Sequence, residues 1–202
     1  MSDDRYITLA RRSEGVLREK ASKFIGIAFP IAHEEEFKAI LGTIGREHHS
    51  ARHLCYAWVL GTVGERFRSS DAGEPAGTAG KPILRQLRTH SLTYAAVVVV
   101  RYFGGTLLGK AGLLHAYGEA ARLALQDNDP IEEVLFDPFS VRCAHHQVEP
   151  LRSFLMSLEA NVIEARYEET CVLNVAVPKR SRAHFLAHCE RYALVVDDQG
   201  PK

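Results

Sequence analysis

Gly104, Gly105, Gly109 and Lys110 stand between an apolar run, Ala95 to Val100, and an amphipathic segment, Ala111 to Leu125, whose second residue is Gly112. A strand, a glycine-rich turn and a helix start can aim backbone N–H groups at an anion, with Lys110 as a point charge beside them. Gly104-x-x-x-x-Gly109-Lys110 matches the phosphate-binding loop as far as its last position. There the Ser or Thr hydroxyl that holds Mg²⁺ is replaced by Ala111, which argues against an NTPase. The glycines have a second reading. Gly104 and Gly105 permit a tight turn, while Gly109 and Gly112 let the helix pack closely on a sheet.

Three further sets of side chains bear on chemistry. The polar loop Ser69 to Pro82 holds Asp71 and Glu74 among Gly73, Gly77, Thr78, Gly80 and Lys81. Asp71 and Glu74 read either as a carboxylate pair for acid-base work or a hard cation, or as a side-chain turn beside a solvated glutamate. Arg101-Tyr102-Phe103 reads as a stacking site for single-stranded RNA. Its alternative is core aromatics beside an arginine paired with Asp71 or Glu74. His48-His49-x-x-x-His53-x-Cys55 raises zinc, but the spacing matches no closed site, and a histidine at a helix end serves as a cap. No nucleophile has a base beside it and no catalytic constellation is complete, so no cofactor and no metal are expected.

Several elements must position these groups. Ile7 to Leu17 and Phe24 to Pro30 read as two strands, and His33 to His48 as a helix with Phe37, Ile40, Leu41 and Ile44 on one face. His53 to Gly61 alternates with both faces apolar, which predicts an interior strand followed by a partner over Glu65 to Ser69. A helix follows from Ala79 or Lys81 to about Arg88. The polar segment Gln126 to Pro130 predicts a boundary, giving domains 1–130 and 131–202. Beyond it, strands at Val134–Cys143, Asn161–Tyr167, Thr170–Val177 and Ala193–Val196 alternate with helices at Gln147–Leu158 and Arg182–Arg191. That β-α-β-β-α-β order is the ferredoxin-like unit, with Pro178 just outside its third strand. The fold class is therefore α+β with two domains.

Composition narrows the setting. A hydrophobic fraction of 46% and a charged fraction of 25% describe a globular chain. No apolar run approaches a membrane span, and the charged N-terminus is unlike a signal peptide. Four cysteines without paired spacing fit a reducing, cytoplasmic compartment. Net charge is zero, so nucleic-acid contact must rely on a local patch.

His53-x-Cys55-x-Ala57, the block Ser70 to Pro82 and the block Val99 to Gly118 resemble the IMPACT family, and the whole chain resembles its bacterial YigZ-type members. Lys20-Ala21-Ser22-Lys23-Phe24-Ile25 also resembles that family's start. The resemblance implies an N-terminal two-layer α/β domain like the second domain of a small-subunit ribosomal protein. It implies a C-terminal ferredoxin-like domain similar to one of elongation factor G. It further implies a role in translation or its regulation, with RNA, the ribosome or a translation-associated protein as partner, and no established reaction. The eukaryotic role in starvation control uses an additional domain and is not carried over. The family's second acidic residue after Asp71 is Ala72 here. The expected contact surface is Lys81, Arg101, Gly104, Gly105, Gly109, Lys110 and Gly112, with Arg85 or Arg88 at its edge. The alternative is a small hydrolase of phosphorylated substrates using Asp71 and Glu74.

Overall fold

The computed structural model describes residues 4–200. Its backbone divides into two compact units, one spanning 6–133 and the other 134–200 together with residues 4 and 5. In the first unit, β2 (Ser13–Glu19), β3 (Ser22–Pro30), β4 (His53–Leu60), β5 (Arg66–Ser70) and β6 (Ala95–Tyr102) form one antiparallel sheet. The order is β2-β3-β6-β4-β5, so β4 is interior as its two apolar faces require. The β-branched run Val97–Val100 places β6 at the centre, buried on both sides.

Each face has its own core. Val97 and Val99 of β6 meet α2 (Gly80–Thr89) and α3 (Gly109–Gln126) through residues such as Ile83, Leu87, Ala116 and Ala120. Val98 and Val100 join the core of α1 (Glu34–Glu47), with Phe37 and Ile44. The two-layer expectation describes the sheet with α2 and α3, and α1 adds cover on the opposite face.

Close seating of α3 comes from glycines on the strands. A Cβ on Gly26 would lie 2.2 Å from the Ala120 carbonyl oxygen, and one on Gly15 would lie 2.4 Å from the Ala124 nitrogen. Sequence reasoning gave that role to Gly109 and Gly112. Around Gly109 a Cβ would meet nothing within 4 Å, and its φ of +72° is what favours glycine there.

The expected strand Ile7 to Leu17 is two strands. β1 (Arg5–Leu9) pairs with β7 (Pro130–Val134) in a separate ribbon, and β2 starts at Ser13. Asn128 stabilises the intervening bend by donating to the Arg11 carbonyl (2.6 Å) and to Ser13 Oγ (2.8 Å). With those polar groups satisfied, the chain leaves one sheet and enters another.

The second unit runs β8 (Phe136–Cys143), α4 (Val148–Ser157), β9 (Asn161–Tyr167), β10 (Cys171–Pro178), α5 (Arg182–Arg191) and β11 (Val195–Asp198). The strand order β11-β8-β10-β9, with every pair antiparallel, is the ferredoxin-like arrangement. Pro178 is the last residue of β10, opposite Phe136, rather than outside the strand. Its missing N–H costs nothing at that end. Phe139, Val141, Leu173 and Val175 face the helices, burying Leu151 and Phe185. No helix among the described residues is long and apolar enough to cross a membrane.

Candidate functional site

Strand pairing aligns Phe24, Arg101 and His53 in one row across β3, β6 and β4. Side chains alternate along a strand, so Arg101 continues the phase of Val97 and Val99 and points to the face covered by α3. A guanidinium there needs a counter-charge, because burying an unpaired ion costs far more than any packing gain. Glu74 supplies it. One Glu74 carboxylate oxygen accepts from Arg101 Nη1 at 2.6 Å and from the Tyr117 hydroxyl at 2.7 Å. Both side chains of the ion pair are at least nine-tenths buried, at 6% exposure for Arg101 and 4% for Glu74. Burial pushes the Tyr117 phenol far above its ordinary range, so it serves as a donor. Arg101 Nε is buried without a partner among the described residues, and Phe24 and Phe103 flank the guanidinium at 5.4 and 5.3 Å. Of the sequence alternatives for Arg101, pairing with Glu74 is the arrangement found.

His53 completes the row. Its Nδ1 lies 2.8 Å from the Ala72 carbonyl, which can only accept, so Nδ1 carries the proton. Nε2 then stands 4.0 Å from the Glu74 oxygen. One turn deeper, the Cys55 thiol donates to the Asp71 carbonyl at 3.0 Å. Burial pushes this thiol up to about 12, with the Glu74 and Asp71 carboxylates adding to the effect. It is an inert, protonated anchor. His48 lies at the end of α1 with its ring against the Tyr102 hydroxyl (2.9 Å), on the sheet face opposite His53, so the suspected zinc set is not assembled.

Asp71 and Glu74 take different partners. Asp71 accepts from the backbone N–H groups of Gly77, Ala79 and Gly80 at 2.8 to 2.9 Å, capping α2 from outside the helix. Burial acts to raise its pKa, but these three amides and nearby Lys81 outweigh it and hold the carboxyl below its ordinary range. Thr78 turns its hydroxyl back to the Pro75 carbonyl, while Gly73 and Gly77 take left-handed conformations. The signature loop is thereby fixed, and Glu74 is delivered over the sheet. Its solvated alternative does not hold.

A cleft of about 460 Å³ opens beside this cluster. It is lined by the largely buried His53, Glu74 and Arg101 and by the exposed Arg52, Pro75, Phe103, Gly109 and Lys110. Gly104 seats the turn, since a Cβ there would lie 2.2 Å from the Ala21 carbonyl, and its N–H donates to Ser22 Oγ at 3.2 Å. Gly105 has a left-handed φ and Gly112 lies in the first turn of α3. That turn contains no acidic residue and no side chain caps it. Lys81 is elsewhere: it lines a separate depression with Phe67, Arg85 and Arg88, where the Arg88 guanidinium stacks on Phe67 at 4.2 Å. Sequence reasoning missed Arg52 and the role of Tyr117. The available signal for Tyr117 was its phase with Leu113, Ala120 and Ala121, which puts its hydroxyl on the buried face.

The fold and site together define a class: two-unit α/β proteins in which a loop glutamate holds a buried arginine and tyrosine beneath a cationic cleft. The family model for the Impact N-terminal domain matches residues 20–125, and the chain belongs to the IMPACT family. It is similar to IMPACT family member YigZ of Escherichia coli strain K12, with 36% identity over 170 residues and 83% of each chain covered. An IMPACT family member of Haemophilus influenzae is 33% identical over 80% of each chain. The crystal structure of a hypothetical protein matches with a TM-score of 0.72 and 33% identity, covering 99% of this chain and 100% of that one.

Proposed function

We propose that this chain is a non-enzymatic, cytoplasmic binding protein serving translation or its regulation, and that the cleft takes phosphate groups of RNA. The observation that carries this reading is the cleft's charge: Arg52, Arg101 and Lys110 against the single carboxylate of Glu74. Arg52 and Lys110 are exposed, and neither has an ion-pair partner among the described residues. The first-turn amides of an 18-residue helix stand beside them, so an anion there meets hydrogen-bond donors as well as charge. Exposed Phe103 offers a ring on which a base can stack. Membership of the IMPACT family supports the translational setting.

Two observations favour binding over hydrolysis. Asp71 is engaged by three amides, and the Glu74 oxygen nearest His53 already accepts two donors. The test is anisotropy of a labelled single-stranded RNA across about 50 to 200 mM salt, where each phosphate contact adds about −0.7 to the log–log slope. Binding is expected to fall steeply with salt, and Lys110→Ala is expected to weaken it and flatten the slope by about one contact. Equal affinity at both salts, or in Lys110→Ala, refutes the reading.

A further inference from the structure

We propose that the cleft selects a terminal phosphate, a phosphomonoester on a nucleotide or on the end of an RNA strand, over the internal phosphodiesters of a chain. This rests on the anion-binding reading above and names the ligand class of the same site. Three permanently charged cations, Arg52, Arg101 and Lys110, and one carboxylate, Glu74, leave two positive charges around the cleft. A phosphomonoester carries about −1.5 to −2 at neutral pH, whereas a bridging diester carries one negative charge. The monoester therefore neutralises the cleft, and the diester leaves a cation uncompensated.

The inner wall supports the same choice. Arg101 is 5% exposed, and one of its N–H groups has no partner among the described residues. Its charge is matched by Glu74, so the uncompensated charges of the cleft are those of Arg52 and Lys110. Glu74 holds that guanidinium and is itself held by Tyr117, so this wall is in place before a ligand arrives. The remaining walls are apolar: Pro75, Phe103, Leu107, Leu108 and Leu113. They suit a base and sugar attached to one side of the phosphate. Lys110 and Arg52 line the cleft and are exposed, so replacing either leaves the core intact.

The experiment compares three probes on the full chain: uridine 5′-monophosphate, a short oligoribonucleotide with a 5′-phosphate, and its 5′-hydroxyl twin. The 5′-phosphate strand is expected to bind about tenfold or more tightly than the twin, because one further charge meets the cationic cleft. Lys110→Ala and Arg52→Ala should each shrink that ratio towards one. If the mononucleotide alone binds as tightly as the phosphorylated strand, the proposal stands and the source of the phosphate is a free nucleotide. If both strands bind alike and still depend on salt and Lys110, the terminal-phosphate proposal falls while the RNA reading survives. If no probe binds, both fall.

Discussion

The two sheets of this chain handle charge in opposite ways. The first unit's sheet is covered by helices on both faces, and its one internal arginine is joined to one glutamate at nine-tenths burial. The ferredoxin-like sheet packs its own helices on one face, and its other face carries exposed ion pairs: Arg142 with Asp197, and Arg166 with Glu164. Those surface pairs are half-exposed, so water screens them and each contributes little. In the first unit, removal of one partner strands the other in a medium that cannot solvate it. Burial converts a charge pair from surface decoration into a condition for folding.

The largest effect that could break this contrast is at Glu74. Glu74→Ala is expected to destabilise the chain by about 3 to 5 kcal/mol, against about 0 to 1 kcal/mol for Glu164→Ala. Urea denaturation of both variants measures the gap, and equal losses would erase the distinction. Next is the seat of α3. Gly26→Ala places a Cβ against the Ala120 backbone and should cost about 1 to 3 kcal/mol or more by overpacking. Gly42→Ala in α1, where the nearest atom is 3.8 Å away, should gain about 0.5 to 1 kcal/mol from helix propensity. Thermal midpoints moving in the same direction would sink that assignment.

The smallest effect is in acid. Asp71 in the first unit and Asp4 in the second both lie below their ordinary 3.8. In each, burial opposes the shift and hydrogen bonds prevail, from three amides and from Arg180 respectively. A depressed carboxylate contributes stability that is full above the unfolded value and is lost as pH falls through the lower folded value. The deficit of Asp71→Asn against the parent should therefore be largest near neutrality and shrink below about pH 4. Asp4→Asn should behave likewise. A deficit constant down to pH 2 would show that shape, not charge, is what Asp71 supplies to α2.

Much of the fold was legible because periodicity survives in single strands and helices. β9 and α5 fall on the residues expected, Asn161–Tyr167 and Arg182–Arg191, and β6 runs only two residues beyond its apolar core. The break between β1 and β2 was illegible, since Ala10-Arg11-Arg12 contains no glycine or proline and the bend is secured by Asn128, over a hundred residues away. The site was half legible. Composition and spacing marked His53, Glu74, Arg101 and Lys110, yet their convergence depends on the register that sets Phe24, Arg101 and His53 side by side. Register is a property of pairs of strands, and one strand's pattern does not contain it. The choice between the two readings of Asp71 was illegible for a related reason. Its three partners lie six to nine residues on, and only the folded loop turns their N–H groups towards it.

The glycine seat under α3 has a mechanical consequence. Backbone rests on backbone at Gly26 and Ala120, ten residues along the helix from Lys110, a lever arm of about 15 Å at 1.5 Å per residue. A rigid rod propped at that point swings its far end when the prop changes height. One added methyl group on strand β3 would therefore re-aim the first-turn amides and Lys110 without touching any residue of the cleft. Gly26 is in this sense the sighting notch for the helix, and the aim of the cleft is set remotely from it.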